Sequence, residues 1–312
     1  MRSMGEYLRK IVRCFVWSAG LRDAIQHQRV SAYFAFKKHF SVSFEAENKG
    51  PFPQTLSFVA ICKNEGAYLA EWLAYHHLVG VEKFYIYDND STDNTREVLE
   101  PFIRAGWVVY TRWPGIRQQL PAYNDALHRY RLTTRWMGFI DLDEFVVPVQ
   151  QATLPEVLAE YADCYGLNAH WVTYGDNGHR SKTPGLVIER FTAHASEPND
   201  ISKAIVNPRA AFMMDNHHGC FIGNRSSVNE LRVPIRTCTR QKSVEKICIN
   251  HYWGKSWEEY LEKCAKGRAR SRTLLTPESG AYADHNRNDI QDLRMQKYVP
   301  RIKALLAQMQ CG

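Results

Sequence analysis

The stretch Leu56-Ser57-Phe58-Val59-Ala60-Ile61-Cys62-Lys63-Asn64-Glu65 opens as a nearly continuous apolar run and closes on three polar residues. A run of that length suits a parallel strand buried on both faces. Downstream, Ala67–Val79 repeats apolar positions at helical spacing (Leu69, Trp72, Leu73, with His76 on the same face). Gly80 follows at the position where a left-handed backbone costs glycine little. Lys83–Tyr87 reads as the next strand. Behind it comes the cluster Asp88-Asn89-Asp90-Ser91-Thr92-Asp93, in which Thr92 or Asp93 can cap a helix running to Phe102. Trp107–Arg112 is a third strand, Ala122–Arg131 a helix, and Trp136–Ile140 a fourth strand that ends in Asp141-Leu142-Asp143-Glu144-Phe145. Strands alternating with helices imply right-handed crossovers and a mostly parallel, Rossmann-like α/β sheet flanked by helices.

In such sheets ligands sit beyond the carboxyl ends of the strands. Three polar segments, Lys63–Glu65, Asp88–Asp93 and Asp141–Glu144, fall at such ends. Beyond Phe145 the rhythm weakens. Trp171–Tyr174 reads as a strand entering the turn Gly175-Asp176-Asn177-Gly178, and Leu186–Phe191 and Ala204–Val206 read as short strands of a second, smaller mixed region. Ser256-Trp257-Glu258-Glu259 carries a capping-box signature for a helix to Lys266, and Asp289–Gln310 is expected to be largely helical. The division expected is a basic arm (1–54), a catalytic body (55–270) and a helical extension (271–312).

Charge is unevenly spread over the 312 residues. Residues 1–40 hold eight Lys or Arg against two acids, so they supply six of the formal +7, while the rest balances 32 bases against 31 acids. A neutral body without a basic stripe argues against nucleic-acid binding. The arm, with Phe15, Trp17, Tyr33, Phe34 and Phe36 among its bases, has the make-up of a helix that lies on an anionic membrane surface; a packed helix with a solvated basic face is the plainer alternative. No apolar run approaches the roughly 18 residues of a membrane span. The eight cysteines include no Cys-x-x-Cys pair, and no signal peptide is evident, so a cytoplasmic protein with reduced thiols is expected, peripheral on the inner face of the membrane if the arm binds lipid.

In an extended segment residues i and i+2 project to one side. Asp141 and Asp143 would then aim together at a ligand while Leu142 turns to the core. Two hard oxygen donors at a sheet rim suit Mg²⁺ or Mn²⁺ bridging a diphosphate, where the cation neutralises a departing nucleoside diphosphate. A solvated acidic turn is the alternative for that pair taken alone.

Three ordered blocks carry more than any one motif: Phe58–Glu65 with Glu71-Trp72 and His76; Tyr85-Ile86-Tyr87-Asp88-Asn89-Asp90-Ser91-Thr92-Asp93; and Phe139–Phe145. Together they resemble the GT-A glycosyltransferases, in the family-2-like group that includes glycosyltransferase family 92, over roughly residues 56–270. The resemblance implies a GT-A fold, a nucleotide-sugar donor (UDP-hexose foremost), a divalent metal and inversion at the anomeric carbon. It places Lys63, Asn64, Glu65, Asp88, Asn89 and Asp93 around the nucleoside, and Asp141 and Asp143 at the metal and ribose-diphosphate. Glu144 would stand behind that pair or in the acceptor wall. Trp171–His179 resembles the family's segment facing sugar and acceptor. Asn250-His251-Tyr252-Trp253 resembles its C-terminal histidine motif, so His251 would give the metal a nitrogen ligand. Lys263, Lys266 and Arg268 would reach the diphosphate. Inversion needs a base for the acceptor hydroxyl; Asp215 and Asp176 are the candidates, with His217 and His218 behind them. The acceptor implied is a glycan or lipid-linked glycoconjugate, as in surface polysaccharide or lipopolysaccharide synthesis.

Rival readings are weaker. A haloacid-dehalogenase-type phosphatase wants a small residue where Phe145 stands and opens its domain with the Asp-x-Asp. A dinucleotide oxidoreductase wants Gly-x-Gly-x-x-Gly, and Cys62–Gly66 offers one glycine. A catalytically silent binder of nucleotide sugars or membranes would keep the same fold.

Overall fold

The structure, a computed structural model, describes residues 50–222, 226–266 and 276–311. The basic arm, its proposed membrane contact and Arg268 lie outside the described residues. Residues 51–312 form one compact unit.

The four forecast strands form as β1 (Gln54–Cys62), β2 (Lys83–Asp88), β3 (Val108–Arg112) and β4 (Thr134–Phe139), all mutually parallel in the order β3-β2-β1-β4. Helices α1 (Gly66–Leu78), α2 (Thr95–Arg104) and α3 (Gln119–Tyr130) are their crossovers. Gly80 adopts φ +100°, and a Cβ there would meet Pro155 Cδ at 2.6 Å, so the turn out of α1 demands glycine twice over. Register aligns Cys62, Asp88 and Arg112 side by side at the strand ends, which brings the Lys63–Glu65 and Asp88–Asp93 loops to one rim.

Beyond β4 the sheet becomes mixed. β5 (Glu144–Pro148), α4 (Leu154–Ala159), β6 (Gly166–Thr173), α5 (Val187–Arg190), β7 (Ala193–His194) and β8 (Ser202–Val206) come next in the chain. Then follow β9 (Met213–Met214), β10 (Cys220–Phe221), β11 (Ser227–Asn229), β12 (Pro234–Ile235), β13 (Ile247–His251), α6 (Trp257–Lys266), α7 (Ala281–His285), β14 (Ile290–Gln291) and α8 (Val299–Cys311). Antiparallel β8 inserts between β4 and β6, and β13 joins β6 in parallel and β5 antiparallel. One apolar core runs from Leu56 and Phe58 through Trp72, Phe145 and Ile249 to Tyr298 and Ile302. Among the described residues, no helix is long and apolar enough to cross a membrane.

Two expectations are corrected, and the largely helical C-terminal segment gains a short strand. Leu186–Phe191 is not a strand: Val187–Arg190 is a helical turn whose first N–H groups, of Val187 and Ile188, donate to the buried carboxylate of Glu71 at 2.6 and 3.0 Å. The 289–310 segment opens as strand β14, paired with β7, and becomes helical only from the short turn Gln296–Tyr298 onward. The Asp-x-Asp segment is not extended. Residues 141–144 fold into a turn in which the Glu144 N–H donates to the Asp141 carbonyl at 3.1 Å, while the Glu144 carboxyl accepts from the Asp141 N–H at 2.9 Å. Leu142 is buried as expected, but the two aspartates acquire separate surroundings.

Candidate active site

The turn after β4 is clasped from beneath by α1. Trp72 Nε1 donates to the Glu144 carbonyl at 2.8 Å, Tyr75 OH donates to the Val146 carbonyl, and His76 Nε2 accepts the Val146 N–H at 3.0 Å. Burial holds His76 down to about 3, so its ring is neutral and can accept that bond. Trp72 and His76, quoted from the sequence, are therefore the bed under the carboxylates, while Glu71 serves α5 instead.

Asp141 is saturated by protein. Its Oδ1 accepts from Gln119 Nε2 and Tyr123 OH, both at 2.9 Å, and its Oδ2 meets Lys203 Nζ at 2.7 Å. Burial alone would raise its pKa, but the Lys203 ammonium outweighs that and keeps it below the usual carboxylate range. Lys203 lies on β8 with no exposed side-chain surface, and it stands 3.4 Å from Glu144 Oε2. Burial, reinforced by the neighbouring aspartates, pushes Glu144 well above the ordinary range despite that cation, and its Oε1 has no hydrogen-bond partner. Burial thus biases Glu144 towards its neutral form, and the lysine ammonium lies closer to Asp141.

Asp143 faces a different neighbourhood. Its Oδ2 pairs with Lys263 Nζ at 2.7 Å, and its Oδ1 lies 3.7 Å from Nε2 of His251. The pairing of β5 with β13 sets Glu144 opposite His251, and the Tyr252 N–H donates to the Asp143 carbonyl at 2.8 Å, so a residue more than a hundred positions away is fixed beside the turn. Burial would raise the Asp143 carboxyl, yet Lys263, His251 and Lys255 hold it far below its normal value. Burial lowers His251 to about 3 against the pull of Asp143, so the imidazole is neutral and offers a lone pair. Its Nδ1 is buried without a partner.

Asp143 opens onto a cleft of about 460 Å³ between the start of α1 and helix α6, lined among others by Asn64, Glu65, Tyr68, Lys255, Lys263 and Lys266. The forecast capping box forms: Ser256 Oγ and Glu259 exchange hydrogen bonds, and Glu259 also takes Tyr68 OH and a bidentate Arg190. The buried Arg190–Glu259 pair ties α5 to α6. Lys266 pairs with Glu65.

Of the residues expected around the donor and metal, the cleft gathers Asn64, Glu65, Asp143, Lys263 and Lys266. Asp88, Asn89 and Asp93 build the rim. Asn64 (φ +53°) accepts from the Thr92 N–H at 2.7 Å, and Asp93 accepts from the N–H groups of Gly66 and Thr95, both at 3.0 Å, which stitches the first two loops together. Asp88 accepts from the Ser91 N–H and Tyr110 OH. Asn89 donates to the Trp113 and Gly115 carbonyls. Lys63 is half-buried and does not line the cleft.

The two base candidates separate. Asp176 is buried and accepts from the Gly178 N–H, Tyr282 OH, Asn286 Nδ2 and, more distantly, Asn288 Nδ2. It anchors the C-terminal segment. Asp215 is exposed, paired with Arg236, on the loop after β9 that also carries His217 and His218. Trp171 joins that loop to the site: its ring lies 5.1 Å from His218 and 4.1 Å from His251.

The residues present fit a divalent cation as a two-donor site. A carboxylate and a neutral imidazole 3.7 Å apart offer hard and borderline donors, and Mg²⁺ or Mn²⁺ commonly completes its shell with phosphate oxygens and water. Among the described residues no cluster of three or more acidic, histidine or cysteine side chains forms a fuller cage. Sequence reasoning missed Lys203, Gln119 and Tyr123, and it noted Lys255 only as following the Asn250–Trp253 block. Lys203 did leave a signal, since a lysine inside Ser202-Lys203-Ala204-Ile205-Val206 must be paired if that strand is buried.

Residues 61–278 match the sequence profile of glycosyltransferase family 92. A family 92 protein of Ricinus communis is 27% identical over 225 residues, covering 69% of this chain and 38% of its own. A protein of Arabidopsis thaliana described as a galactan β-1,4-galactosyltransferase is 35% identical over 104 residues, or 30% of this chain and 21% of its own. The chain thus spans about a third of the length of the curated family 92 relatives it matches. Among solved structures, S. aureus TarS with UDP-GlcNAc aligns over 82% of this chain and 72% of its own, at 13% identity and a TM-score of 0.40. A likeness that shallow adds nothing to the family match.

Proposed function

This chain belongs to glycosyltransferase family 92, and on that footing we propose that it moves a hexose from a nucleotide sugar, UDP-hexose foremost, to a glycan or glycoconjugate, with inversion and with the help of Mn²⁺ or Mg²⁺. The observation that carries the reading is the meeting of Asp143 and His251 at the mouth of a lysine-bearing cleft. The Arabidopsis relative's description favours galactose and a glycan acceptor.

Asp143 and His251 are the residues that would hold the metal, which when bound supplies positive charge to the leaving diphosphate. Lys263 adds a second charge on the same carboxylate and stays in place through the Trp253 carbonyl at 2.7 Å. Asn64 and the Asp88–Asp93 loop shape the nucleoside rim, and Asp141, held by three donors, offers a fixed wall to the ribose or sugar. Asp215 is our choice for the base. Its loop reaches the site through Trp171, whereas the accepting positions of Asp176 are already filled.

The test is release of UDP from UDP-hexoses with and without Mn²⁺. Asp143→Ala is expected to lower kcat at least a hundredfold, the scale on which a preorganised electrostatic group acts, and to abolish the metal response. Wild-type protein that binds UDP but turns over no donor with any glycan would leave the silent-binder reading standing.

A further inference from the structure

Among the described residues, four acids and three lysines line the cleft, and all but one of these charges have a counter-charge at contact distance. Lys263 pairs with Asp143, Lys266 with Glu65, Glu259 with Arg190, and Glu262 with Lys182. Lys255 is the exception. It is only 9% exposed, and among the described residues its ammonium makes no hydrogen bond or ion pair; it lies 4.3 Å over the ring of Tyr68. Burial lowers its pKa, with Asp143 and Glu65 acting the other way from a distance.

The backbone goes to some trouble to place it. Lys255 has φ +55°, a conformation a lysine rarely adopts, and Tyr282 OH donates to its carbonyl at 3.2 Å. Gly254 before it is packed so closely that a Cβ would meet the Tyr282 ring at 3.0 Å. The adjoining N–H groups of α6 are already spoken for: those of Trp257 and Glu258 donate to the carbonyls of His179 and Arg180, and that of Glu259 to Ser256 Oγ. Any anion entering here meets the ammonium rather than a helix terminus. A desolvated cation without a partner is costly, and a strained backbone that presents it compounds the cost.

We infer that Lys255 is the receptor for a diphosphate group in this cleft, its missing counter-charge being the ligand's. Lys263 and Lys266, each neutralised by its own acid, play the lesser part. The inference rests on the reading of the site as one for a nucleotide sugar, and it narrows that reading to a residue not otherwise assigned. The same chemistry would admit free pyrophosphate, which the test separates.

The experiment is calorimetric titration of the full chain with UDP and with inorganic pyrophosphate, each with Mn²⁺, for wild type, Lys255→Gln, Lys255→Arg and Lys263→Gln. Lys255→Gln is expected to weaken both ligands at least tenfold and Lys255→Arg much less. Ligand-free Lys255→Gln should melt no lower than wild type, because it sheds an unpaired buried charge; a lysine needed for packing would show the opposite. Undiminished UDP and pyrophosphate binding by Lys255→Gln overturns the inference while leaving the nucleotide-sugar reading intact. Lysine-dependent binding of pyrophosphate but of no nucleoside diphosphate does the reverse. Wild type that binds neither sinks both.

Discussion

Lys203 decides how the carboxylates after β4 divide their labour. A fully buried ammonium 2.7 Å from Asp141 and 3.4 Å from Glu144 pairs with the first, while burial biases the second towards its neutral form. Lys203→Met takes the counter-charge from Asp141, which keeps only Gln119 and Tyr123 as donors, and is expected to lower the urea midpoint. Glu144→Gln replaces a neutral acid by a neutral amide of the same shape, so its midpoint should move by less than about 1 kcal/mol. A large loss in Glu144→Gln would mean that the carboxyl is ionised after all. Both aspartates were legible as candidates from Asp-x-Asp alone. That they differ in role was not, because the difference comes from a lysine sixty positions downstream that only the β8 register brings in.

Helix α1 shows how local sequence and tertiary demand interact. The period of Leu69, Trp72, Leu73 and His76 announces the helix, and the apolar runs of β1, β2 and β4 announce the strands they form. Strand β13 escaped notice because Ile247-Cys248-Ile249-Asn250-His251 is a short apolar run ending in two polar residues, with no alternation to mark it, yet it is buried throughout between β5 and β6. Helical turn α5 was mistaken for a strand because its cap, Glu71, comes from another element.

The same helix carries two opposed titrations. Burial pushes Glu71 up to about 7 from an unfolded value of 4.5, so its contribution is complete at acid pH and is lost as pH rises through that window. His76, lowered to about 3 from 6.5, contributes fully above 6.5 and is lost as pH falls towards 3. Between 4.5 and 6.5 the two slopes, each about 1.4 kcal/mol per pH unit at most, oppose one another. Urea midpoints of His76→Gln should therefore decline as pH rises from 4.5 to 7, and those of Glu71→Gln should decline as pH falls below 6.5. Parallel pH profiles for wild type and both variants would refute this pairing.

At the scale of the molecule, the segment after α6 returns to the site instead of trailing from it. Asp176 takes hydrogen bonds from Tyr282 and Asn286, the Asn288 side chain receives the Asn177 N–H, and β14 pairs with β7. Gly175 sits so close to this segment that a Cβ would approach the Arg287 carbonyl oxygen to 2.5 Å. Gly175→Ala and Asp176→Ala should both hasten proteolysis between Tyr282 and Leu293. If Asp176 is an anchor and not a base, Asp176→Ala loses activity together with stability and keeps the wild-type pH profile. Asp215→Ala should keep the melting temperature and lose turnover. A forecast made by local periodicity could not see this return, since the partners of Asp176 lie more than a hundred residues along the chain.

That stitching has a practical corollary for anyone redesigning the enzyme. A clone shortened to the limits of the family match at residue 278 would discard Tyr282, Asn286 and Asn288 together, and the glycine turn would lose its far bank. Such a clone would read as an inactive catalyst when it is only an unlaced one, and adding the missing tail back as a separate peptide should restore turnover.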